Sequence, residues 1–494
     1  MSTVRKILSN TVVQILGKVV VALLGLMVLK ISTEYLGREG FGEYVLIYEF
    51  LAFFGIAADL GLFTIAVKEM SENEDELPKI IGNILSLRTI LVTASMLLAI
   101  VTVFFIPEYA DSRIPLGVAI ASFTVFLTII NGTITSVLQT KLKMGRASIA
   151  SILGKIISVS FMAYIVFYGF PTDNEIGFYM LIVAGVIGSL VTLIASNFYV
   201  RKITPLTYQF DIQLWKKVLK RSLPYGIALI LNAIYFRIDS ILLSIIHGSE
   251  EVGIYGLAMR MLEQFAVLPL FFMNSVLPVL TRAIKEKSDK YKKVISYSFD
   301  FLAAAAIPIV VGGFILAFPI VFAVSTPDFL SDLPNGFYGS DIAFQILIFA
   351  LFFQFLNVLF AFILISINEQ KKLLYINAVG VVFNIVTNLI FIPEYGFIAA
   401  ATTSVISEFF ILTATFIAAK RCLEFSISIS NLIKITVSAL VMGAVVYFLQ
   451  PFTYGLVENW NILLLVPIGA TVYVSMLFIT KTINREMLAI LRKN

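Results

Sequence analysis

The chain has 494 residues, 59% hydrophobic and only 14% charged, with 43 Phe and a mean hydropathy of +0.96, which excludes a water-soluble globular domain. A single Cys (Cys422) and a single His (His247) exclude a disulfide framework, a Cys/His metal site and a Cys–His nucleophile pair, so no metal and no cofactor is expected. The net charge of +5 is mostly a matter of membrane topology and gives no argument for nucleic acid.

Apolar runs recur along the whole length, each long enough at about 1.5 Å per residue to cross a hydrocarbon core of roughly 30 Å. In chain order, spans are expected near 10–31, 41–66, 80–105, 115–138, 148–169, 176–199, 222–245, 252–280, 297–322, 342–367, 373–392, 396–418, 432–450 and 461–480. The first follows Arg5 and Lys6 but is too long for a signal-peptide h-region, contains Lys18 and lacks a small-x-small cleavage site, so it reads as a span. With the N-terminus inside, 27 of the 36 Lys and Arg fall in cytoplasmic segments and only Arg38 and Arg113 in outer loops. The remaining seven, Lys18, Lys30, Arg88, Lys155, Arg237, Arg260 and Lys434, lie within spans. A missed or surplus helix would invert every later loop, so the asymmetry supports an even number of spans with both termini cytoplasmic.

The two halves echo each other. Gly37-Arg-Glu-Gly-Phe-Gly-Glu-Tyr44 aligns with Gly248-Ser-Glu-Glu-Val-Gly-Ile-Tyr255 at an offset of 211, with four identities that include two turn glycines. A weaker echo sets Thr140 to Gly154 against Ser366 to Gly380 at an offset of 226. Both stretches of the first pair open a span running inward, six spans apart, so the repeat is parallel. The expected organisation is a lobe of six spans over 1–205, a second over 206–421, and two further helices over 422–494.

Ionisable groups inside spans are expensive, about 2.5–3.5 kcal/mol each on insertion scales, and usually face a bundle interior or a wet cavity. Lys18, Arg88 and Lys155 fall in the inner third of spans one, three and five, with Asp59 at similar depth on span two. Arg237, Asp239, Arg260 and Glu263 fall nearer the middle or outer half of spans seven and eight, with Glu49 at comparable depth on span two. Such a ladder of cations suits a phosphate-bearing substrate, because guanidinium forks grip phosphate oxygens and Lys adds a point charge. The competing reading is mutual neutralisation: Arg260 and Glu263 share a helical face, and Asp59 is the obvious partner for the inner cations. Asp59, Asp239 and Glu263 are the candidates for coupling transport to Na+ or H+. Asn131, Asn232, Asn377, Asn384 and Asn388 read as interhelical hydrogen-bond glue, and the acidic run Glu72-Asn-Glu-Asp-Glu76 as a solvated loop.

Several local patterns carry a family resemblance. Ala58-Asp-Leu-Gly-Leu62, Leu223-Pro-Tyr, Arg237-Ile-Asp239, Val252-Gly-Ile-Tyr255 and Ile392-Pro-Glu-Tyr-Gly396 with Ala399-Ala-Ala-Thr402 resemble the Wzx-like polysaccharide flippases. These belong to the multidrug/oligosaccharidyl-lipid/polysaccharide (MOP) exporter superfamily, and the resemblance covers nearly the whole chain. It implies an all-α, MATE-like V-shaped bundle of about 14 helices in the cell (plasma or inner) membrane. It also implies that the protein is a transporter rather than an enzyme. Its partners would be the bilayer and a polyprenyl-(pyro)phosphate-linked oligosaccharide, flipped to the outer leaflet by alternating access for cell-surface glycan synthesis. Lys18, Arg88, Lys155, Arg237 and Arg260 would then contact the pyrophosphate. A lipid II flippase and a MATE-type drug exporter are the nearest alternatives. A membrane-embedded glycan polymerase or ligase is the alternative of another class, disfavoured because the chain has no nucleotide loop and no D-x-D motif.

The topology is testable directly: cysteines introduced at Lys216 or Lys371 should stay unlabelled by an impermeant maleimide applied outside intact cells, and should react once the membrane is opened.

Overall fold

Backbone N–H and C=O groups find no partner in hydrocarbon, so a spanning segment must close its hydrogen bonds within itself. Every long element of the computed structural model, which describes residues 3–141, 143–286 and 289–482, is accordingly a helix. Lys287, in the loop expected between the eighth and ninth spans, and the two extreme ends of the chain lie outside the described residues. In order the helices are α1 (Thr3–Asp59), α2 (Leu62–Glu72), α3 (Leu77–Val103), α4 (Pro107–Ala110), α5 (Ile114–Thr140), α6 (Met144–Tyr164) and α7 (Asn174–Arg201). There follow α8 (Ile212–His247), α9 (Ser249–Lys285), α10 (Lys290–Ile315), α11 (Ala317–Val324), α12 (Ser340–Ser366), α13 (Gln370–Cys422), α14 (Ile429–Val457) and α15 (Ile462–Ile479).

Among the described residues, eleven continuous helical stretches are long and apolar enough to span a membrane, and three of these, Gly17–Glu72, Gln370–Cys422 and Ile429–Ile479, are of double length. The bends fall at Gly37, at Gly396 and around Glu458, which resolves the stretches into 14 helices, the number expected. The protein is a multi-pass membrane protein, and side chains such as Phe105, Tyr168, Phe448 and Phe452 stand fully outward on its apolar surface.

The spans differ from expectation in detail. The second was read as unbroken over 41–66, whereas α1 stops at Asp59 and α2 starts at Leu62. Leu60 (φ 44°) and Gly61 (φ 73°) make the break in left-handed backbone, inside the Ala58-Asp-Leu-Gly-Leu62 pattern itself. The ninth, read as 297–322, breaks at Leu316 between α10 and α11. The outer loop expected between the first two spans is a one-residue kink: Gly37 (φ 64°, ψ −171°) turns the chain with helix on either side. Its repeat partner Gly248 takes the same conformation (φ 88°, ψ −178°), a region essentially closed to residues with a Cβ.

The second echo is equally visible in the backbone. Lys143 N–H bonds Leu138 O at 2.7 Å, and Glu369 N–H bonds Leu364 O at 2.8 Å. Lys141 on Val137 and Ile367 on Ile363 repeat the match, as do Arg146 on Lys143 and Lys372 on Glu369. The same turn is therefore built twice, 226 residues apart, from different side chains.

The chain forms two compact units, Met1–Gly253 and Ile254–Asn494. The first contains α8, which the repeat groups with the second lobe; here α8 packs on α1, α2 and α3. In the second unit α12 packs on α13 and α10, and α10 on α14, which in turn holds α15. Between α11 and α12 the chain forms a small closed loop, with an antiparallel bridge from Asp332 to Phe337 and Asp341 accepting from Ser331 N and Oγ at 2.9 and 2.7 Å.

Within the first unit the two repeat motifs meet. A Cβ placed on Gly42 would lie 1.7 Å from Ser249 O, and one on Gly253 would lie 2.2 Å from Arg38 O. These contacts exchange under the 211-residue offset, and Arg38 to Glu250 at 3.1 Å lies beside them. Gly42→Ala or Gly253→Ala should therefore destabilise by about 1–3 kcal/mol, the usual range for overpacking. Gly25→Ala, where a Cβ meets nothing within 4 Å, should leave the thermal midpoint of the detergent-solubilised protein unchanged.

Candidate functional site

Charge inside the first unit is organised around the break in the second span. Asp59 closes α1 where the chain turns at Leu60 and Gly61, and this turn brings its carboxylate against α3, where Arg88 is 2% exposed. Arg88 Nη2 donates to Asp59 Oδ1 in a short ion pair. The remaining donors Nε and Nη1 are closed to solvent and meet no acceptor among the described residues. Gly132 of α5 stands beside this edge, a Cβ there falling 4.0 Å from Nη1. The neighbouring Asn131 likewise keeps Oδ1 buried and without a donor.

The other cations singled out in the sequence are distributed as follows. Arg237 of α8 pairs with Glu49 of α1, whose carboxylate is 5% exposed. Lys18 is exposed on α1 and Lys155 half-buried on α6, and both make contacts. Asp239 is 3% exposed on α8. In the second unit Arg260 pairs with Glu263 at 3.3 Å along one face of α9. The structure thus joins Arg88 to Asp59 and Arg260 to Glu263, and gives Arg237 an acid that the sequence placed only at comparable depth.

Several buried acids carry no mark in the sequence reading, Glu69, Asp300 and Glu408 among them. Glu69 on α2, 2% exposed, takes Lys217 at 3.0 Å and Arg221 in a shorter contact, both from α8. The same region is tied by Trp215 Nε1 donating to Asn83 O at 3.1 Å and by Asn83 Oδ1 accepting from Asp211 N at 2.6 Å. Asp211, outside the spans, caps α8, and the N–H groups of Leu214 and Gln213, with Lys79 nearby, hold its carboxyl below the usual range. Glu408 of α13 accepts from Gln354 of α12 at 2.9 Å, and Asp300 of α10 accepts from Asn431 of α14 at 2.7 Å. The signal for Asp300 and Glu408 is a lone acid in an apolar run, as in Phe299-Asp-Phe301, whereas Glu69 lies beyond the end expected for the second span, beside Lys68.

Of the asparagines, Asn388 joins the two arms of α13, accepting on Oδ1 from Thr403, while its Nδ2 donates to Asn384 Oδ1 at 3.2 Å within one arm. The side chain of Asn232 lies outside the described residues. Asn73, Asp75 and Glu76 of the acidic run are exposed, and no group of three or more His, Cys, Asp or Glu suited to a metal occurs among the described residues.

The comparisons with known proteins agree with this architecture. The family model described as "Polysaccharide biosynthesis protein" matches residues 7–284, more than half of the chain, and the MatE model matches residues 224–390. An uncharacterized membrane protein of Methanocaldococcus jannaschii is 29% identical over 271 residues, 52% of this chain and 50% of that protein, so the chain spans about half the length of this relative. Among solved structures, a lipid II flippase in an inward closed conformation superposes with a TM-score of 0.72 at 16% identity, over 95% of this chain and 98% of that one. An inward-facing multidrug resistance MATE family transporter of the MOP superfamily gives 0.65 at 15% identity, over 83% and 98%. A MOP superfamily transporter from Pyrococcus furiosus gives 0.57 at 16% identity, over 84% and 95%.

The Arg88–Asp59 pair makes a quantitative prediction. Removing one partner of a buried pair leaves the other charge uncompensated, at a cost of about 3–5 kcal/mol, whereas an apolar replacement of both is often neutral. Asp59→Asn should lower the thermal midpoint far more than the double variant Asp59→Leu/Arg88→Met. Equal losses in the two proteins would mean that the pair contributes nothing specific.

Proposed function

From the chain's membership of the polysaccharide biosynthesis protein family, a flippase-like family of the MOP transporter superfamily, we propose that it flips a polyprenyl-(pyro)phosphate-linked oligosaccharide. Transfer runs from the cytoplasmic to the outer leaflet of the cell membrane by alternating access, in the service of cell-surface glycan synthesis. The observation that carries the reading is Arg88: a guanidinium sealed among apolar helices with Nη2 on Asp59 and two nitrogens, Nε and Nη1, without an acceptor among the described residues. Five donors in a fixed plane match phosphate oxygens, and a donor edge kept dry gains most from an anion.

A lipid-linked pyrophosphate cannot cross hydrocarbon with its charge uncompensated. In the proposed cycle Lys18, Arg88 and Lys155 receive the headgroup, Arg237 and Arg260 serve the later stage, and the polyprenyl tail stays in lipid. Glu49 and Glu263 then act as exchangeable counter-ions, holding the two arginines while no phosphate is present. Asp59, Asp239 and Glu263 remain the candidates for Na+ or H+ coupling, Asp239 by virtue of its burial. The 27-to-2 distribution of loop cations supports cytoplasmic termini.

The likeness to a lipid II flippase over nearly the whole chain favours that substrate as the second reading. The test is flipping in liposomes, with a fluorescent polyprenyl-pyrophosphate oligosaccharide and a fluorescent lipid II offered separately. Wild-type protein should transfer the first. Lys18→Ala, Arg88→Ala and Arg237→Ala should each slow transfer about 10- to 100-fold, from the ~1.5–3 kcal/mol of a hydrogen bond to a charged group, with Arg88→Lys intermediate. Transfer of lipid II alone would select the second reading, and full transfer by the triple Ala variant would show that these cations are structural.

A further inference from the structure

Asp300 lies in the first half of α10, 4% exposed, flanked by Phe299 and by Phe301, whose ring stacks on Phe272 with 4.1 Å between centroids. Its Oδ2 accepts from Asn431 Nδ2 of α14 at 2.7 Å, while Oδ1 is sealed from solvent and has no donor among the described residues. One turn further on, Tyr473 of α15 donates to Ala304 O at 2.8 Å and closes that side.

The titratable groups that the surrounding elements offer are few. On α10 itself they are Lys290, Tyr291, Lys292, Lys293 and Tyr297, on α14 Lys434, three residues beyond Asn431, with Tyr447 and Tyr454 further along, and on α15 Tyr473. On α12 the sole acid is Asp341 in the first turn, at the opposite end from the basic loop into which α12 runs, α11 has none, and α9 places Arg282 and Lys285 in its last turn. No ion pair joins Asp300 to any of them among the described residues; the pairs in this part of the chain are Lys292 with Asp289 and Lys372 with Glu369.

An ionised carboxylate offers about four lone-pair positions to donors, and here one neutral amide answers. Leaving the second oxygen charged and dry is the costly arrangement, and no metal relieves it, since a cation needs several oxygen ligands and Oδ1 is a single unsatisfied one. A proton relieves it alone. We propose that Asp300 is a proton-binding site, occupied in this conformation, and that its protonation holds α14 against α10. The proton sits on Oδ1, and Oδ2 remains the carbonyl acceptor for Asn431. Loss of the proton places a charge in the α10–α14 seam and loosens the C-terminal helix pair. The inference is independent of what the protein carries.

The test uses the full chain in liposomes and infrared spectra recorded across a pH series, with aspartate carrying a 13C side-chain carboxyl. Wild type should show a protonated-acid carbonyl band that shifts with the aspartate label, disappears as pH rises, and is lost in Asp300→Asn. Asn431→Ala should move the band to higher frequency, because the amide hydrogen bond is gone. The thermal midpoint of wild type should fall as the band disappears, and that of Asp300→Asn should not follow it. Spectra identical in wild type and Asp300→Asn at every pH overturn the site, and midpoints falling in parallel overturn its hold on α14. If Asp300→Asn accumulates poorly, Asp300→Glu answers the same question, since the band must then stop responding to the aspartate label and respond to labelled glutamate.

Discussion

A guanidinium enclosed by apolar helices needs a carboxylate, and the first unit is bent to supply one. Asp59 reaches Arg88 because the helix ends at that residue and the chain turns through Leu60 and Gly61 in left-handed backbone. The same turn redirects α2 so that Glu69 faces α8, where Lys217 and Arg221 close on it. One break in a helix thus feeds two ionic clusters on different neighbours. Without it, both acids would continue along one spanning helix, and the cations of α3 and α8 would be left to find water.

Glycine supplies the other constraint. At Gly42 and Gly253 the helices approach so closely that the backbone of one occupies the space of the other's missing side chain. At Gly37 and Gly248 the chain adopts a conformation that a Cβ forbids, which lets one helix follow another with no intervening loop. Two of the four identities between the halves fall on these glycines, and that agreement was visible in the letters because sterics permit no substitute there. The second repeat was fainter because its turn is made by backbone hydrogen bonds that most side chains tolerate.

The number of helices, their apolar character and the presence of intramembrane charge were legible for simple reasons: a bilayer fixes element length and makes each charge conspicuous. Breaks inside spans were not, because Leu60-Gly61 and Leu316 sit in runs as apolar as the helices they interrupt. Partner choice was partly legible. Arg260 with Glu263 follows from helical spacing, and Asp59 was placed at Arg88's depth, but Glu49 with Arg237 depends on how α8 lies on α1, which spacing within either helix does not encode. Asp300 and Glu408 have no cation within helical reach to mark them, and Glu69 lies beyond the apolar run of the second span.

Pairing also bears on how a cation in such a bundle can serve an anion that must leave again. An arginine with no acid beside it would be costly to bury when empty and would grip a phosphate too firmly when full. One whose fork is saturated by carboxylate would have nothing to offer. Arg88 lies between these limits, with Nη2 on Asp59 and two donor nitrogens, Nε and Nη1, uncommitted among the described residues. On the proposed function its resting energy is set by Asp59, and the incoming phosphate adds only the hydrogen bonds that the carboxylate leaves unmade, at about 1.5–3 kcal/mol each. Two such bonds can hold a headgroup for the duration of a conformational step, and neither is strong enough to keep it there.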